Sequence, residues 1–408
     1  MIHFEKGHSV RPAPGQKRLL GASALLVLAL ASLGGCSSNN DDPRAFPLKE
    51  EEAGAGGGGG AGSDAGPKQK LVVTADWLNG SLSVLDYEKL VGDAATRDDA
   101  LVRTIDLSTY LPGPLEVDVT PDGKTAVVAV GPGFFVGTVG GLIGATNVDP
   151  GGTFLLVDLA TGTVTKEIKP PAGPMGLAVS PDGKRAFTAD HGNNEGKTLS
   201  VFDLVSQTLE ASIEVGLGAE EVSLSPDGTM GVINTDSDGA IHFFDPKASP
   251  VVLSAPLVIG NDPDLAAFVP AEKKLVIAQS LPKASYSVVD LTDPNAPSIL
   301  ENPALPGIPY GTNLIPGTSH VLVTSGITEC SLREIDVSVA PSAVTRTITM
   351  PCAKASLPLS TAIDADGKHA FVGAPGENAL MVVDLEAGTT KAIPWLSKAG
   401  PTRVAIVP

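Results

Sequence analysis

The chain has 408 residues, of which 28 are lysine or arginine and 46 are aspartate or glutamate, so its net charge at pH 7 is −18. A chain this acidic is not expected to bind nucleic acid, whose phosphates it would repel, or to dock electrostatically on anionic lipid. Protein and glycan partners remain compatible with this charge.

Residues 1–35 have the features of a lipoprotein signal peptide. Lys17 and Arg18 precede an apolar run that is too short to span a membrane and that ends in Leu33-Gly34-Gly35-Cys36. This ending resembles a bacterial lipobox, which implies cleavage before Cys36 and a lipid anchor on its sulfur. Because Ser37 follows, we expect an outer-membrane lipoprotein of the cell envelope, facing the periplasm or the cell surface. An ordinary secretory signal is the alternative.

Residues 36–69 are predicted to form a disordered tether that begins at the lipidated cysteine. The segment contains the acidic run Glu50-Glu51-Glu52 and a glycine tract at residues 54–60. Such a composition cannot bury a core. A random coil of roughly 33 residues spans about 30 Å, so the domain that follows is expected to stand off the membrane.

Residues 70–408 repeat one pattern seven times. A strand runs into a turn, usually Pro-Asp-Gly, and a second strand, a third strand ending in aspartate and a fourth strand follow. The seven aspartates are Asp86, Asp158, Asp203, Asp245, Asp290, Asp336 and Asp384. Their successive separations are 72, 45, 42, 45, 46 and 48 residues, and a period near 45 with four strands per unit is typical of a β-propeller. We expect each aspartate to bond backbone amides of the next turn.

The two ends of the repeat region are predicted to complete one blade together. The first repeat lacks the opening strand that the other six have, and residues 401–408 match that strand, as a comparison with residues 114–121 shows. Pairing of the C-terminal strand with the first repeat would close the ring and leave no free sheet edge. The predicted fold is therefore an all-β, seven-bladed propeller with four-stranded antiparallel blades.

Three sequence segments resemble the repeats of the YVTN-type family of bacterial and archaeal propellers, which includes surface-layer proteins. They are Val-Ser-Pro-Asp-Gly-Lys at 179–184, Leu-Ser-Val-Phe-Asp-Leu at 199–204 and Met-Val-Val-Asp-Leu at 381–385. The resemblance covers nearly all of residues 70–408 and implies the propeller fold. It implies little about activity, because most members of the family have no known function.

Besides Cys36, the chain contains Cys330 and Cys352. They flank two predicted strands, residues 331–337 and 344–350, and a turn centred on Pro341 would place them directly opposite each other. An exported protein meets oxidising conditions, which favours a structural disulfide. Free thiols and redox or metal chemistry are the alternatives, although the sequence has no CxxC motif.

The long second repeat contains an apolar, glycine-rich insertion at residues 132–150. Its apolar side chains include Phe134, Phe135, Leu142 and Ile143. Long loops in compact domains are usually functional or disordered, and an exposed apolar segment suggests a partner contact, a membrane contact or a lid. The alternative is that the insertion folds over the channel mouth as a plug.

Acidic residues gather on the face predicted to carry the inter-blade loops. These are Asp76, Asp190, Glu195, Glu220, Glu221, Asp236, Asp238, Asp262, Asp264 and Glu377. The loops at Asp236, Asp238, Asp262 and Asp264 resemble oxygen-ligand loops of the kind that bind calcium, although a solvated acidic rim is the more frequent explanation. No other cofactor is expected.

At the predicted start of the innermost strands, equivalent positions include Glu116, Glu221 and Arg403. Because these positions meet at the channel mouth, Arg403 is expected to pair with the two glutamates, in a structural or a partner-binding role.

The sequence favours a monomeric, lipid-anchored, non-catalytic scaffold that binds a protein or glycan. The main alternative is a hydrolase like the propeller lactonases, with Asp190, His191 and Glu221 as candidate catalytic residues at the central channel. A redox propeller with a quinone or haem partner is a third hypothesis, but the chain lacks a CxxCH motif.

Overall fold

The computed structural model describes residues 69–131, 151–192, 195–280, 282–326, 329–352 and 356–408. The predicted signal peptide, Cys36 and nearly all of the tether lie outside these residues, as does the insertion with Phe134, Phe135, Leu142 and Ile143. Among the described residues, no helix combines the length and the apolar character needed to cross a membrane.

The described chain forms 28 strands in seven four-stranded antiparallel sheets. The innermost strands are β4 (Pro114–Val119), β8 (Pro174–Val179), β12 (Ala219–Leu224), β16 (Pro263–Val269), β20 (Ile308–Leu314), β24 (Ser360–Ile363) and β28 (Pro401–Val407). The second strands are β1 (Leu71–Asp76), β5 (Thr125–Val130), β9 (Arg185–Asp190), β13 (Gly231–Thr235), β17 (Lys274–Gln279), β21 (His320–Gly326) and β25 (His369–Ala374). The predicted seven-bladed propeller is thus confirmed.

The outer half of each blade completes the sheet in chain order. The third strands are β2 (Ser81–Asp86), β6 (Thr153–Asp158), β10 (Thr198–Asp203), β14 (Ala240–Phe244), β18 (Ser285–Asp290), β22 (Ser331–Asp336) and β26 (Ala379–Asp384). The outermost strands are β3 (Leu101–Asp106), β7 (Thr163–Ile168), β11 (Thr208–Glu214), β15 (Leu257–Val258), β19 (Ser298–Glu301), β23 (Ala343–Thr349) and β27 (Thr389–Pro394). The outermost strands consist mostly of exposed and half-buried residues, whereas the second strands are almost wholly buried.

The C-terminal strand closes the ring, as the sequence predicts. β28 pairs antiparallel with β1, so that Val73 lies opposite Ala405 and Val72 opposite Ile406. The first blade therefore has the order β28-β1-β2-β3, and the other six blades are contiguous in sequence. Closure pairs the edge of β1 that would otherwise be free.

The turns between first and second strands explain the Pro-Asp-Gly repeat. In the third blade, Ser180 Oγ donates to Asp182 Oδ1 at 2.8 Å, and the Gly183 amide donates to the Ser180 carbonyl. Gly183 has φ +68°, a left-handed conformation that glycine adopts without strain. We call the end of the propeller that carries these turns the turn face. The opposite end, where second strands lead into third strands, is the loop face.

The seven repeat aspartates accept hydrogen bonds from backbone amides just after the third strands. Six of them end those strands, and Asp245 follows the last residue of β14. The donors lie two or three residues further along, as in the bond from the Ser206 amide to Asp203 Oδ1 at 2.8 Å. The same arrangement occurs at Asp86, Asp158, Asp245, Asp290, Asp336 and Asp384. Their predicted structural role is confirmed.

Apolar side chains of neighbouring blades pack face to face around the ring. Phe154 of the second blade stacks on Phe202 of the third, with ring centroids 3.8 Å apart. Each of the seven seams between blades contains a buried cluster of this kind. This packing explains why the strands are apolar on both faces.

Two short helices, α1 (Tyr87–Val91) and α2 (Arg97–Ala100), interrupt the first blade between β2 and β3. Asp86 caps α1 by accepting from the Lys89 amide, which is the hydrogen bond that N-cap aspartates usually make. Leu90 of α1 packs into the buried seam between the first and seventh blades. The helices therefore lie against the seam that the C-terminal strand closes.

Cys330 and Cys352 form a disulfide, as predicted, with their Cα atoms 6.0 Å apart. The predicted register is wrong, however. Ser331 pairs with Thr349, and the Met350 amide donates to the Cys330 carbonyl, so Cys330 lies opposite Met350. The cause lies in the turn: Asp336 pairs with Ala343, so the hairpin is centred between residues 339 and 340 and not on Pro341. One extra residue in β23, at the irregularity between Glu334 and Ile335, makes up only part of this offset.

Candidate functional site at the channel mouth

The innermost strands carry a β-bulge near their first residues. It occurs in six of the seven blades, and β24 of the seventh blade pairs regularly. In the fourth blade, Ala219 lies opposite Thr235 but Val222 lies opposite Ile233, so β12 has one extra residue. A bulge breaks the alternation of side chains. As a result, the consecutive residues Glu220 and Glu221 are both buried.

Arg403 lies between Glu116 and Glu221 at the centre of the ring. Its Nε donates to Glu116 Oε1 and its Nη2 to Glu221 Oε1, and all three side chains are more than nine-tenths buried. Tyr310 of the sixth blade donates its hydroxyl to the same Glu221 oxygen at 3.1 Å. Gly176 makes room for Glu221, because a Cβ there would lie 2.6 Å from the Glu221 Cα.

These side chains fill the channel at their level. The cavity lined by Glu116, Met175, Tyr310 and Arg403 measures about 10 Å³, which is no more than one water molecule needs. Two larger grooves, about 520 and 460 Å³, lie on the turn face between the second, third and fourth blades. They are lined by exposed turn residues such as Asp182 and are remote from the buried acids of the loop face.

Asp190 is saturated by hydroxyl donors. Thr188, Thr198 and Ser200 donate to its two oxygens at 2.6–2.7 Å. Burial raises the pKa of Asp190 to about 6, although these three hydrogen bonds lower it. Asp76 has the same arrangement in the first blade. Asp190, a predicted catalytic residue, therefore accepts its hydrogen bonds from hydroxyls of its own blade.

His191, the next residue, faces the channel side. Its Nδ1 donates to the Gly192 carbonyl at 2.8 Å, and its Nε2 lies 3.7 Å from Asp236 Oδ2. Because a carbonyl can only accept, this hydrogen bond shows that Nδ1 carries a proton. The structure thus brings His191 close to Asp236.

Three buried carboxylates converge between the fourth and fifth blades. One oxygen each of Glu220, Asp236 and Asp262 lies within 4.8 Å of the others. Asp264, at the start of β16, is also buried, whereas Asp238 is exposed. Of the four residues that the sequence suggests for calcium, the structure therefore brings Asp236 and Asp262 together and leaves Asp238 in solvent.

Burial dominates the acid–base behaviour of this cluster. Burial, together with the charge of the neighbouring Asp236, raises the pKa of Asp262 to about 7 although the hydrogen bond from Ser280 lowers it. Burial and the charges of Asp262, Asp264 and Asp236 raise the pKa of Glu220 well above its usual range. At Glu116 and Glu221, burial raises the pKa and the Arg403 guanidinium opposes the rise.

Sequence reasoning missed Glu220 as a ligand candidate and Tyr310 altogether. Both lie in or beside a bulge, at a position where a regular strand would turn the side chain away. Two adjacent acids near the start of an otherwise apolar innermost strand are a signal that could have identified Glu220. Tyr310 stands next to Gly311, the aligned position of its blade, and the sequence offers no such signal for it.

The apolar insertion at residues 132–150 lies outside the described residues. Its flanking glycines are described: a Cβ at Gly131 would lie 3.1 Å from the Gly151 carbonyl oxygen, and the Gly131 amide donates to the Gly113 carbonyl. Both ends of the insertion therefore leave the propeller together on the loop face, between β5 and β6.

No protein-family model matches the chain, and no curated protein matches it. The resemblance to YVTN repeats accordingly remains an expectation. The chain is also similar to solved structures, and this similarity concerns the fold alone.

Three such structures are similar over most of the chain. A proposed 6-phosphogluconolactonase from Bacteroides uniformis is 15% identical with a TM-score of 0.65, covering 84% of this chain and 100% of that one. A protein of unknown function from Desulfotomaculum acetoxidans is 14% identical with a TM-score of 0.64, covering 82% and 98%. The Cps50 (Swd1) β-propeller domain of Myceliophteria thermophila is 12% identical with a TM-score of 0.54, covering 70% and 87%. The chain shares its fold with proteins of differing roles.

Proposed function

We propose that the protein is a non-catalytic binding scaffold of the cell envelope, anchored by a lipid on Cys36, which presents the loop face of its propeller to a protein or glycan partner. The propeller fold is consistent with a binding scaffold. Identity of the solved structures with this chain is too low to transfer an activity, since propellers host many unrelated functions.

The observation that carries this proposal is the filled channel. Propeller enzymes need a cavity for their substrate, and ligand pockets usually measure about 300–1,000 Å³. Here the space beside Arg403 and Tyr310 measures about 10 Å³. The ion pairs of Arg403 with Glu116 and Glu221 lie beside this small space, and their side chains are more than nine-tenths buried.

The loop face is preferred over the turn face because the apolar insertion leaves the propeller there. Phe134, Phe135, Leu142 and Ile143 belong to that insertion, and aromatic and large aliphatic residues dominate the energetics of protein interfaces. The grooves of the turn face are lined by charged turn residues, which are weaker anchors.

Two exposed residues provide matched positions for a photocrosslinking test in intact cells. Leu396 follows β27 on the loop face and Val205 follows β10 on the turn face, and both are 76% exposed. A photoreactive amino acid is placed at either position in the full, lipidated chain. We expect crosslinked partner at position 396, lost when residues 132–150 are deleted, and little or none at position 205.

Crosslinks only at position 205, or crosslinks at position 396 that survive the deletion, would contradict the proposed binding face. Membrane fractionation of Cys36→Ser tests the anchor separately, because the variant should move from the membrane to the soluble fraction. A chain that remains in the membrane fraction without Cys36 would exclude the lipid anchor.

A lactonase-like hydrolase is the second candidate function. The proximity of His191 to Asp236, 3.7 Å between Nε2 and Oδ2, is the observation in its favour, since an imidazole beside a carboxylate is a common general base. Hydrolysis of a lactone panel that falls at least 100-fold in both His191→Ala and Glu221→Gln would establish it. Absence of hydrolysis in the wild type would leave the scaffold.

A further inference from the structure

The convergence of Glu220, Asp236 and Asp262 is unusual because all three side chains are removed from water. Each is 5% exposed, and one oxygen of each lies within 4.8 Å of the others. Three like charges at such distances repel strongly in a low-dielectric interior. Some compensating positive charge is therefore needed at neutral pH, or the carboxylates must carry protons.

Two oxygens of this group have no hydrogen-bond partner among the described residues and no contact with solvent. They are Glu220 Oε2 and Asp262 Oδ1. Asp262 is held in place through its other oxygen, which accepts from Ser280 Oγ at 3.0 Å. A buried carboxylate oxygen without a donor is costly, so the arrangement indicates that a ligand supplies the missing interaction.

The spacing suits a metal ion. Calcium binds oxygen ligands at about 2.3–2.6 Å, so two oxygens on one ion are at most about 5 Å apart. All three converging groups offer oxygen, which hard cations prefer over nitrogen or sulfur. His191 stands at the edge, with its Nε2 3.7 Å from Asp236 Oδ2.

Local backbone geometry orients the ligand residues. The bulge at the start of β12 turns both Glu220 and Glu221 inward. Asn234 then ties the two blades together: its Oδ1 accepts from the Glu221 amide at 2.6 Å and its Nδ2 donates to the Asp264 carbonyl at 3.2 Å. The carboxylates are therefore presented by rigid strand ends of two neighbouring blades, as a preorganised site requires.

We propose that Glu220, Asp236 and Asp262 bind one divalent cation, calcium, at the seam between the fourth and fifth blades. Of the four residues that the sequence suggests, Asp236 and Asp262 belong to this site, Glu220 is added, and Asp238 and Asp264 are not part of it. The site is independent of the partner binding proposed above, because it rests on described residues of the propeller and not on the insertion.

The test uses the full chain, stripped with EDTA and dialysed. Isothermal titration with calcium chloride and metal analysis after dialysis give the stoichiometry, and thermal unfolding gives the linked stability. We expect one calcium per chain and a melting temperature that rises by several degrees at millimolar calcium, because an ion that binds only the folded state stabilises it.

The double variant Glu220→Gln and Asp262→Asn should bind calcium at least 10-fold more weakly while keeping the circular dichroism of the wild type. Asp238→Asn, in the same turn as Asp236 but exposed, is the matched control and should bind like the wild type. Neutralising buried, mutually repelling acids is expected to preserve folding.

Several results would overturn the proposal. A wild type that binds no calcium at 10 mM, with an unchanged melting temperature, excludes the site. If the double variant binds calcium with the affinity of the wild type, the calcium site lies elsewhere on the acidic surface. Tight binding of zinc or manganese without a calcium response would replace the calcium assignment. None of these results bears on the crosslinking test of the partner face, so the two proposals can fail separately.

Discussion

Two groups of buried carboxylates, at neighbouring positions of the repeat, differ in the hydrogen-bond donors that surround them. Asp76 and Asp190 end second strands and are surrounded by hydroxyls: Asp190 accepts from three of them. Glu220 lies in a bulge and Asp262 in a loop, and each has an oxygen with no donor among the described residues. The comparison suggests that burial alone does not mark a functional acid in this propeller. The supply of donors separates structural acids from candidate ligands.

The first group is built to hold a charge in place. Asp76 accepts hydrogen bonds from Thr74 and Ser83 of its own blade and from the Trp395 indole of the seventh blade. Burial raises its pKa to about 6 while the hydrogen bonds lower it. At neutral pH such a carboxylate is mostly ionised. The hydrogen bonds that it accepts offset the free-energy cost of burying its charge.

Replacing Arg403 by methionine should have the largest effect. Glu116 and Glu221 would lose their counterion while remaining buried. No positive charge would then offset the cost of burying these two carboxylates. Removing one partner of a buried ion pair typically costs about 3–5 kcal/mol. The measurement is the free energy of unfolding in urea at pH 7.

Lys197→Met is the control for Arg403→Met. Lys197 pairs with Glu214 at 3.0 Å, but both side chains are more than half exposed, so the expected loss is below about 1 kcal/mol. Equal losses in the two variants would mean that the channel ion pairs are effectively solvated and that burial does not strengthen them.

Much of the fold could be predicted because its signals are local. The triplet at residues 181–183 builds a turn by its own chemistry, and the aspartates that end third strands bond amides two or three residues away. Closure by β28 was predictable because residues 401–408 repeat the pattern of residues 114–121. The hairpin register of the sixth blade was not, because its turn is centred between residues 339 and 340 and no sequence pattern distinguishes this turn from one centred on Pro341.

The site was harder to predict because its contacts cross the ring. Alignment of the repeats correctly places Glu116, Glu221 and Arg403 at equivalent positions, and the structure brings these three side chains together. Tyr310 reaches Glu221 from two blades away, 89 residues along the chain. Such a contact depends on ring geometry and on the bulge at Pro309, neither of which appears as a local pattern.

Asp76→Ala tests the donor-rich group. The change removes the acceptor of Thr74, Ser83 and the Trp395 indole, and leaving buried donors unsatisfied should cost about 3 kcal/mol. Asp182→Ala, which removes an exposed turn acid, should cost less than about 1 kcal/mol. Chemical unfolding of both variants checks this, and a small loss at Asp76 would show that its donors find other acceptors.

Asp264→Asn should have the opposite sign. Asp264 is buried, its Oδ2 has no donor among the described residues, and burial together with Asp262 and Glu221 raises its pKa well above the usual range. Neutralising it with an isosteric amide should therefore raise the free energy of unfolding by about 1 kcal/mol at pH 7 in EDTA. A loss of stability would instead place Asp264 with the donor-compensated acids.

The pH dependence of Asp190→Asn provides the finest test. With a pKa of about 6 in the folded state and about 4 in the unfolded state, Asp190 binds more protons when folded. Its contribution to stability is therefore complete below pH 4 and is lost as the pH rises through 6. Between pH 5 and pH 7 the wild type should lose about 1 kcal/mol more than Asp190→Asn, because the amide does not titrate. Unfolding in urea at both pH values measures the difference, and parallel losses in the two proteins would show that the three hydroxyl donors keep the pKa of Asp190 near its ordinary value.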